Sequence, residues 1–348
     1  MNLLRFVLPL VCLPVFAQAV TNEDKETIIT ALQQRIEQHY VLESTIPEVV
    51  AHLEQLRTSP LLHQQKTHDD VARLLRNELQ QFDKHFTVKW TAPSVGDNKS
   101  TARADNPEKE GWFSQLARKN QGYNSVEVLA GNIGYIDFWG FAEVNAHYKA
   151  KTEAAMMFLT GVDALIIDLR NNGGGSAQAV QLLSSYFLEG NVHLNSFFNR
   201  DTGMTTHFRT LGDIPRYFSQ APVYILTSEK TFSAAEEFAY NFKHLKRGMI
   251  VGSPTKGGAN PWRYVGLPSH YKLGVPTSMA INPVTNTNWE GVGVQPDVLT
   301  DAEDAFKKAY VLALKKTLTD AQGWNLQEKQ EALDELSPEQ AINTETLK

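Results

Sequence analysis

The chain has 348 residues, a formal charge of −6, 42% hydrophobic and 21% charged residues. This is an ordinary globular composition, with room for one large domain and a smaller one or for two or three modest ones. The acidic balance, with no basic cluster of useful length, argues against a nucleic-acid binder and against docking on an anionic membrane surface.

The N-terminus, residues 1–19, reads as a signal peptide. Arg5 is its positive region, Phe6 to Phe16 its apolar stretch, and Ala17-Gln18-Ala19 an A-x-A cleavage site. The apolar stretch is too short to span a bilayer. Cleavage would remove Cys12, the only cysteine. That excludes disulfides, a thiol nucleophile and cysteine-ligated zinc from the mature chain. An exported protein, periplasmic or secreted, is expected, with membrane association not expected after cleavage.

Residues 22–90 show helical periodicity. Ile28, Leu32, Ile36 and Tyr40 lie four apart, and two further apolar stripes follow at Val49–Leu56 and Val71–Leu79. Three helices with short connections suggest a small bundle. Residues 91–126 read as a linker or loop, because Thr91 to Lys119 is polar and poor in large apolar side chains. Over 127–320 strands alternate with helices. Ile133–Phe138, Ala164–Leu169, Val223–Thr227 and Met249–Gly252 are the strands. Helices are expected at Val144–Leu159, after Ser176, from Ser233 and over Asp301–Leu318, with short strands and hairpins over Trp262–Ile281. This is an α/β core in which near-continuous apolar strands belong to a parallel sheet. The tail, 321–348, is polar.

Five segments could carry chemistry. Thr231–Phe238, TFSAAEEF, follows a buried strand and opens a helix. Ser233 there meets free backbone N–H groups that could hold a developing negative charge. The same Ser233…Glu236 spacing also fits a helix capping box. Asp168–Ser176 carries the glycine run Gly173-Gly174-Gly175, whose exposed N–H groups could bind an oxyanion. It lacks the spacing of a Walker or dinucleotide loop. Asp83-Lys84-His85 closes the helical region, and Asn288–Asp297 places Glu290 between a tryptophan and a Gly-Val-Gly turn. A glycine-rich loop, Gly252–Ala259, follows one of the strands.

Together and in this order, these segments resemble the S41 serine peptidases, the tail-specific or C-terminal processing family. The resemblance covers roughly His85 to Asp297. It implies a ClpP/crotonase-like core behind an N-terminal helical bundle, with Ser233 as nucleophile. In the Ser–Lys branch of the family a lysine stands in a T-F-G-K-G loop. Here Gly258 takes that place and Lys256 stands two positions early. The interval before Gly131 is also too short for the PDZ domain of that branch. The chain is more similar to the tricorn-like branch, related to interphotoreceptor retinoid-binding protein. There the histidine of a D-x-H motif is the base and a glutamate of W-E-G-V-G-V completes the relay. Those positions are His85 and Glu290, with Lys84 where that branch has a serine. The implied oxyanion donors are the backbone N–H groups of Gly173, Gly174 and Ala234, with Glu236 as a supporting cap. No metal or organic cofactor is implied, the expected partner is a peptide or protein substrate, and nothing is implied about oligomeric state. The alternative is a catalytically weak binding protein for a hydrophobic ligand or peptide on the same module.

Overall fold

The computed structural model describes residues 19–93 and 111–336. Residues 1–18 of the expected signal peptide, 94–110 of the expected linker and 337–348 of the expected tail lie outside them. The chain begins with four helical segments, α1 (Asn22–His39), α2 (Ile46–Arg57), α3 (Pro60–His63) and α4 (His68–Leu79). Strand β1 (Thr87–Trp90) and helix α5 (Trp112–Arg118) come next, then β2 (Tyr123–Leu129), β3 (Ile133–Phe138), α6 (Ala146–Phe158), β4 (Ala164–Asp168) and α7 (Ala177–Ser185). A hairpin of β5 (His193–Asn199) and β6 (Met204–Arg209) precedes β7 (Val223–Thr227), α8 (Ala234–His244) and β8 (Met249–Gly252). The chain continues through β9 (Trp262–Gly266), β10 (Tyr271–Pro276), β11 (Ser278–Ile281) and β12 (Val298–Leu299). Helices α9 (Ala305–Leu318) and α10 (Trp324–Leu336) end the described chain.

The central sheet has the order β12-β8-β7-β4-β3-β2. All its neighbours run parallel except β2 and β3. Both faces are covered, which is why β4 and β7 read as unbroken apolar runs. Along β4 the side chains still alternate. Leu165 and Ile167 join the core under α6, α7 and α8, while Ala164 and Ile166 join the core under α9 and α10. Two smaller sheets flank it, β1-β10-β9 and β11-β5-β6.

The N-terminal helices pack their apolar stripes against Tyr271, Leu273 and Val275, on alternate residues of β10. Strand β1 pairs antiparallel with β10, with Thr87 opposite Gly274. The helical region and the α/β core therefore share a sheet. That register fixes the residues just before β1, His85 among them.

Three regions differ from the sequence reading. Part of the expected linker is α5, whose Leu116 is fully buried. Part of the expected polar tail is α10, which packs on α9 through Ala332 and Leu333. Its Lys329 is buried and donates to Asp163 Oδ2 at 2.6 Å. The third is β5 and β6, where no strand was expected: one half-buried face gives too weak an alternation to stand out. No helix among the described residues is long and apolar enough to cross a membrane.

Candidate active site

Ser233 ends the turn between β7 and α8 with φ 57° and ψ −120°. A β-carbon in that region costs roughly 1–3 kcal/mol, so surrounding contacts must hold it there. Several do. The Phe232 amide donates to Asn172 O at 3.0 Å, and Thr231 Oγ1 donates to Leu169 O at 2.8 Å. The Ser233 amide donates to Glu236 Oε2 at 2.8 Å. On the far side lies Gly174, where a Cβ would come 2.7 Å from Ser233 Cβ and 2.6 Å from Phe232 O. The turn presents the serine side chain outward, as a strained strand-to-helix elbow does.

His85 is aimed at that side chain. Its amide donates to Asp83 Oδ1 at 2.9 Å, and its ring packs on Phe232 with centroids 4.6 Å apart. His85 Nε2 then lies 3.2 Å from Ser233 Oγ. Burial, then the nearby Lys256 charge, hold the imidazole well below its usual range, at about 3. The ring is neutral at pH 7, with Nε2 free to accept a proton.

Behind His85 stand two carboxylates. Asp83 Oδ1 is 3.7 Å from His85 Nδ1, and Asp83 Oδ2 accepts from Asn260 Nδ2 at 2.8 Å. Glu290 Oε2 accepts from the Ala259 amide at 2.6 Å. The nearest ligand atoms of Asp83, His85 and Glu290 all lie within 4.8 Å of one another. Burial raises Asp83 to about 6, against the pull of Asn260 and the His85 amide. Burial and then the Asp83 charge raise Glu290 to about 8. Both Asp83 oxygens and Glu290 Oε2 accept from the His85 amide, Asn260 and Ala259, an arrangement suited to orienting an imidazole.

Glu236 lies under the whole assembly. Its Oε1 accepts from Thr255 Oγ1 at 2.5 Å and from the Gly257 amide at 2.7 Å. Its Oε2 accepts from Gly258 at 2.9 Å besides Ser233. Thr255 Oγ1 itself accepts from the Val294 amide, so its proton must go to Glu236. Burial pushes Glu236 up to about 7, opposed by these four donors.

The structure thus brings Ser233, His85, Glu290 and Glu236 together across more than 200 residues of sequence. One expectation needs correcting. The Gly173 amide donates to Trp139 O at 3.2 Å, and the Gly174 amide to Asn172 Oδ1 at 2.9 Å. Neither is available to an oxyanion in this conformation, because the Trp139 carbonyl and the Asn172 side chain already accept from them. Ala234, first residue of α8, retains a helix-start N–H beside Ser233. Asp83, which had no assigned role although its i, i+2 spacing to His85 was visible, also approaches His85 Nδ1, in one cluster with Glu290.

One buried acid near the site bears on stability. Glu237 on α8 is 3% exposed, has an oxygen without a partner and is pushed by burial up to about 8 from an ordinary 4.5. A raised acid stabilises the fold at low pH, and this contribution is lost as pH climbs from about 4.5 through 8. Glu237→Gln is expected to match the parent in urea unfolding at pH 5 and exceed it by a few kcal/mol at pH 9. Equal stability differences at both pH values would contradict this.

The open groove beside Ser233 is lined in part by Trp112, Phe113, Trp262 and Tyr264, each more than a third exposed. Residues 132–300 match the model of peptidase family S41. The chain is 29% identical over 167 residues to carboxyl-terminal-processing peptidase 2 of Arabidopsis thaliana, covering 47% of this chain and 31% of that protein. It is 29% identical over 185 residues to the tricorn protease of Thermoplasma volcanium, covering 50% of this chain and 16% of that one. The chain therefore matches less than a third of the length of these two relatives. A crystal structure of a candidate peptidase from Parabacteroides merdae superposes with a TM-score of 0.60 at 20% identity, over 86% of this chain and 99% of that one. The fold is the α/β, ClpP-like fold of such peptidases with helices at its N-terminus, and residues 132–300, just under half of the chain, are those that match peptidase family S41.

Proposed function

We propose that this chain is an exported serine peptidase that cleaves peptide bonds through an acyl-enzyme on Ser233. The observation that carries the reading is the 3.2 Å approach of His85 Nε2 to Ser233 Oγ, on a serine held at φ 57°. A strained serine aimed at a neutral imidazole is the arrangement nucleophilic acyl transfer needs.

His85 takes the Ser233 proton as Oγ attacks the substrate carbonyl, then delivers it to the leaving amine. A water repeats the sequence in reverse and frees Ser233. While His85 is positively charged, the Asp83–Glu290 pair supplies one opposing negative charge. The Ala234 N–H serves the oxyanion. The Gly173 and Gly174 N–H groups join it once substrate turns the loop away from Trp139 O and Asn172 Oδ1. The aromatic-lined groove suits an extended peptide. The apolar N-terminal segment supports export to the periplasm or exterior, and no cofactor enters the scheme.

Intact-mass analysis after exposure to a fluorophosphonate tests the reading. One adduct is expected, located on Ser233, with none in Ser233→Ala. A wild-type protein that stays unlabelled and carries a co-purified lipid would instead support the hydrophobic-ligand carrier.

A further inference from the structure

Three buried polar atoms around the Asp83–Glu290 pair lack a close hydrogen-bond partner: His85 Nδ1, Asn260 Oδ1 and the hydroxyl of Tyr40. Tyr40 comes from the far side of the site, at the C-terminal end of α1, and is fully buried. It is firmly placed. Its amide closes α1 on Ile36 O at 3.0 Å, Arg200 Nη1 donates to its carbonyl, and the next amide, Val41, donates to Pro276 O at 2.9 Å. Its ring sits 4.8 Å from that of Phe86, the residue after His85. Burial, and then the Asp83 and Glu290 charges, hold its phenol above the usual range, so the hydroxyl lies within reach of both acids. Lys84 is directed elsewhere, its Nζ donating to Gln80 O at 3.0 Å.

A phenol is not kept unpaired in a core without cost, and replacing it with a ring alone would remove that cost. The carboxylate pair beside it must carry negative charge just when His85 becomes positive. We propose that Tyr40 is a positioning residue whose hydroxyl donates to the Asp83–Glu290 pair during proton transfer, holding it ionised and turned toward His85 Nδ1. The N-terminal helical region thereby supplies part of the catalytic relay. The inference rests on the peptidase reading above.

The charged groups facing this cluster are few. Asp83 feels Lys84, Glu290 feels Asp83 and Glu236, and His85 feels Lys256. The Tyr40 hydroxyl favours the ionised form of Asp83. Losing it raises that acid's pKa, so the ionised pair appears only at higher pH.

Tyr40→Phe keeps the ring and its packing. The rate of fluorophosphonate labelling at pH 7 is expected to fall roughly tenfold, as for a lost hydrogen bond to a charged group. The acid limb of the labelling rate is expected to move to higher pH, with the melting temperature unchanged or raised. An unchanged rate and limb would overturn the proposal and leave Tyr40 as packing. A second readout is independent of catalysis: carboxyl carbon-13 NMR of Asp83 and Glu290 in the Ser233→Ala background. Their titration midpoints are expected to rise on adding Tyr40→Phe, and unchanged midpoints would overturn the proposal even if the wild type proved inert to the probe.

Discussion

Ser233→Ala and His85→Ala, singly or combined, are expected to lower peptide hydrolysis by the same factor, between roughly ten-thousandfold and a millionfold. The two side chains act as one unit, since neither can transfer the proton alone. Removing the second after the first should therefore cost almost nothing further. The 3.2 Å separation of Nε2 and Oγ and the neutral state of the buried ring supply the physical basis. Lys256→Ala is the matched control. Its Nζ lies 4.7 Å over the Phe232 ring, a cation–π contact on the outer side of the site. Its loss should change the rate by no more than a few-fold. Gly258, where the Ser–Lys branch has its lysine, has no room for a side chain: a Cβ there would lie 2.1 Å from Phe232 and 3.0 Å from His85 Cε1. The imidazole and the Phe232 ring fill the space that lysine would need. A steady-state rate in His85→Ala close to the parent, with Lys256→Ala inactive, would reverse this assignment.

Glu236→Ala should be the most damaging substitution to the fold around the site. Four donors lose their acceptor at once: the amides of Ser233, Gly257 and Gly258, and the Thr255 hydroxyl. Each buried donor left unsatisfied costs about 1–3 kcal/mol, against a total stability on the order of 5–15 kcal/mol. At roughly 2–4 °C per kcal/mol, differential scanning calorimetry should show a Tm lower by about 10 °C or more. Ser233 would also lose the contact that holds its positive φ, so labelling by fluorophosphonate should fail even below the new Tm. Glu236→Gln should fall between the two proteins, because its NH2 group would face donors that need an acceptor. A near-parental Tm in Glu236→Ala would show that the Ser233 turn is held by Asn172 and Gly174 instead.

The buried strands could be read from the residues alone, because both faces of the central sheet are covered and β4 and β7 need apolar side chains throughout. The Ser233 turn was visible for a similar reason, since a strand followed by a capping box has few other local solutions. His85 and Glu290 entered only through the order and spacing of motifs resembling a family. What no sequence pattern could carry was the pairing of distant segments. The register of β1 on β10 sets His85 against a serine 148 residues away. Asp83 comes to 3.7 Å from His85 Nδ1 because the turn after α4 folds its carboxylate back on the His85 amide. The Gly173 and Gly174 amides looked free as a glycine run, yet folding supplies acceptors for such donors, here the Trp139 carbonyl and the Asn172 side chain. Tyr40 showed only the helical spacing of a core residue. Periodicity and motif are local properties, determined by neighbours along the chain. Which hydroxyl, imidazole and carboxylate finally meet is decided by packing between elements, and that is a property of the tertiary structure.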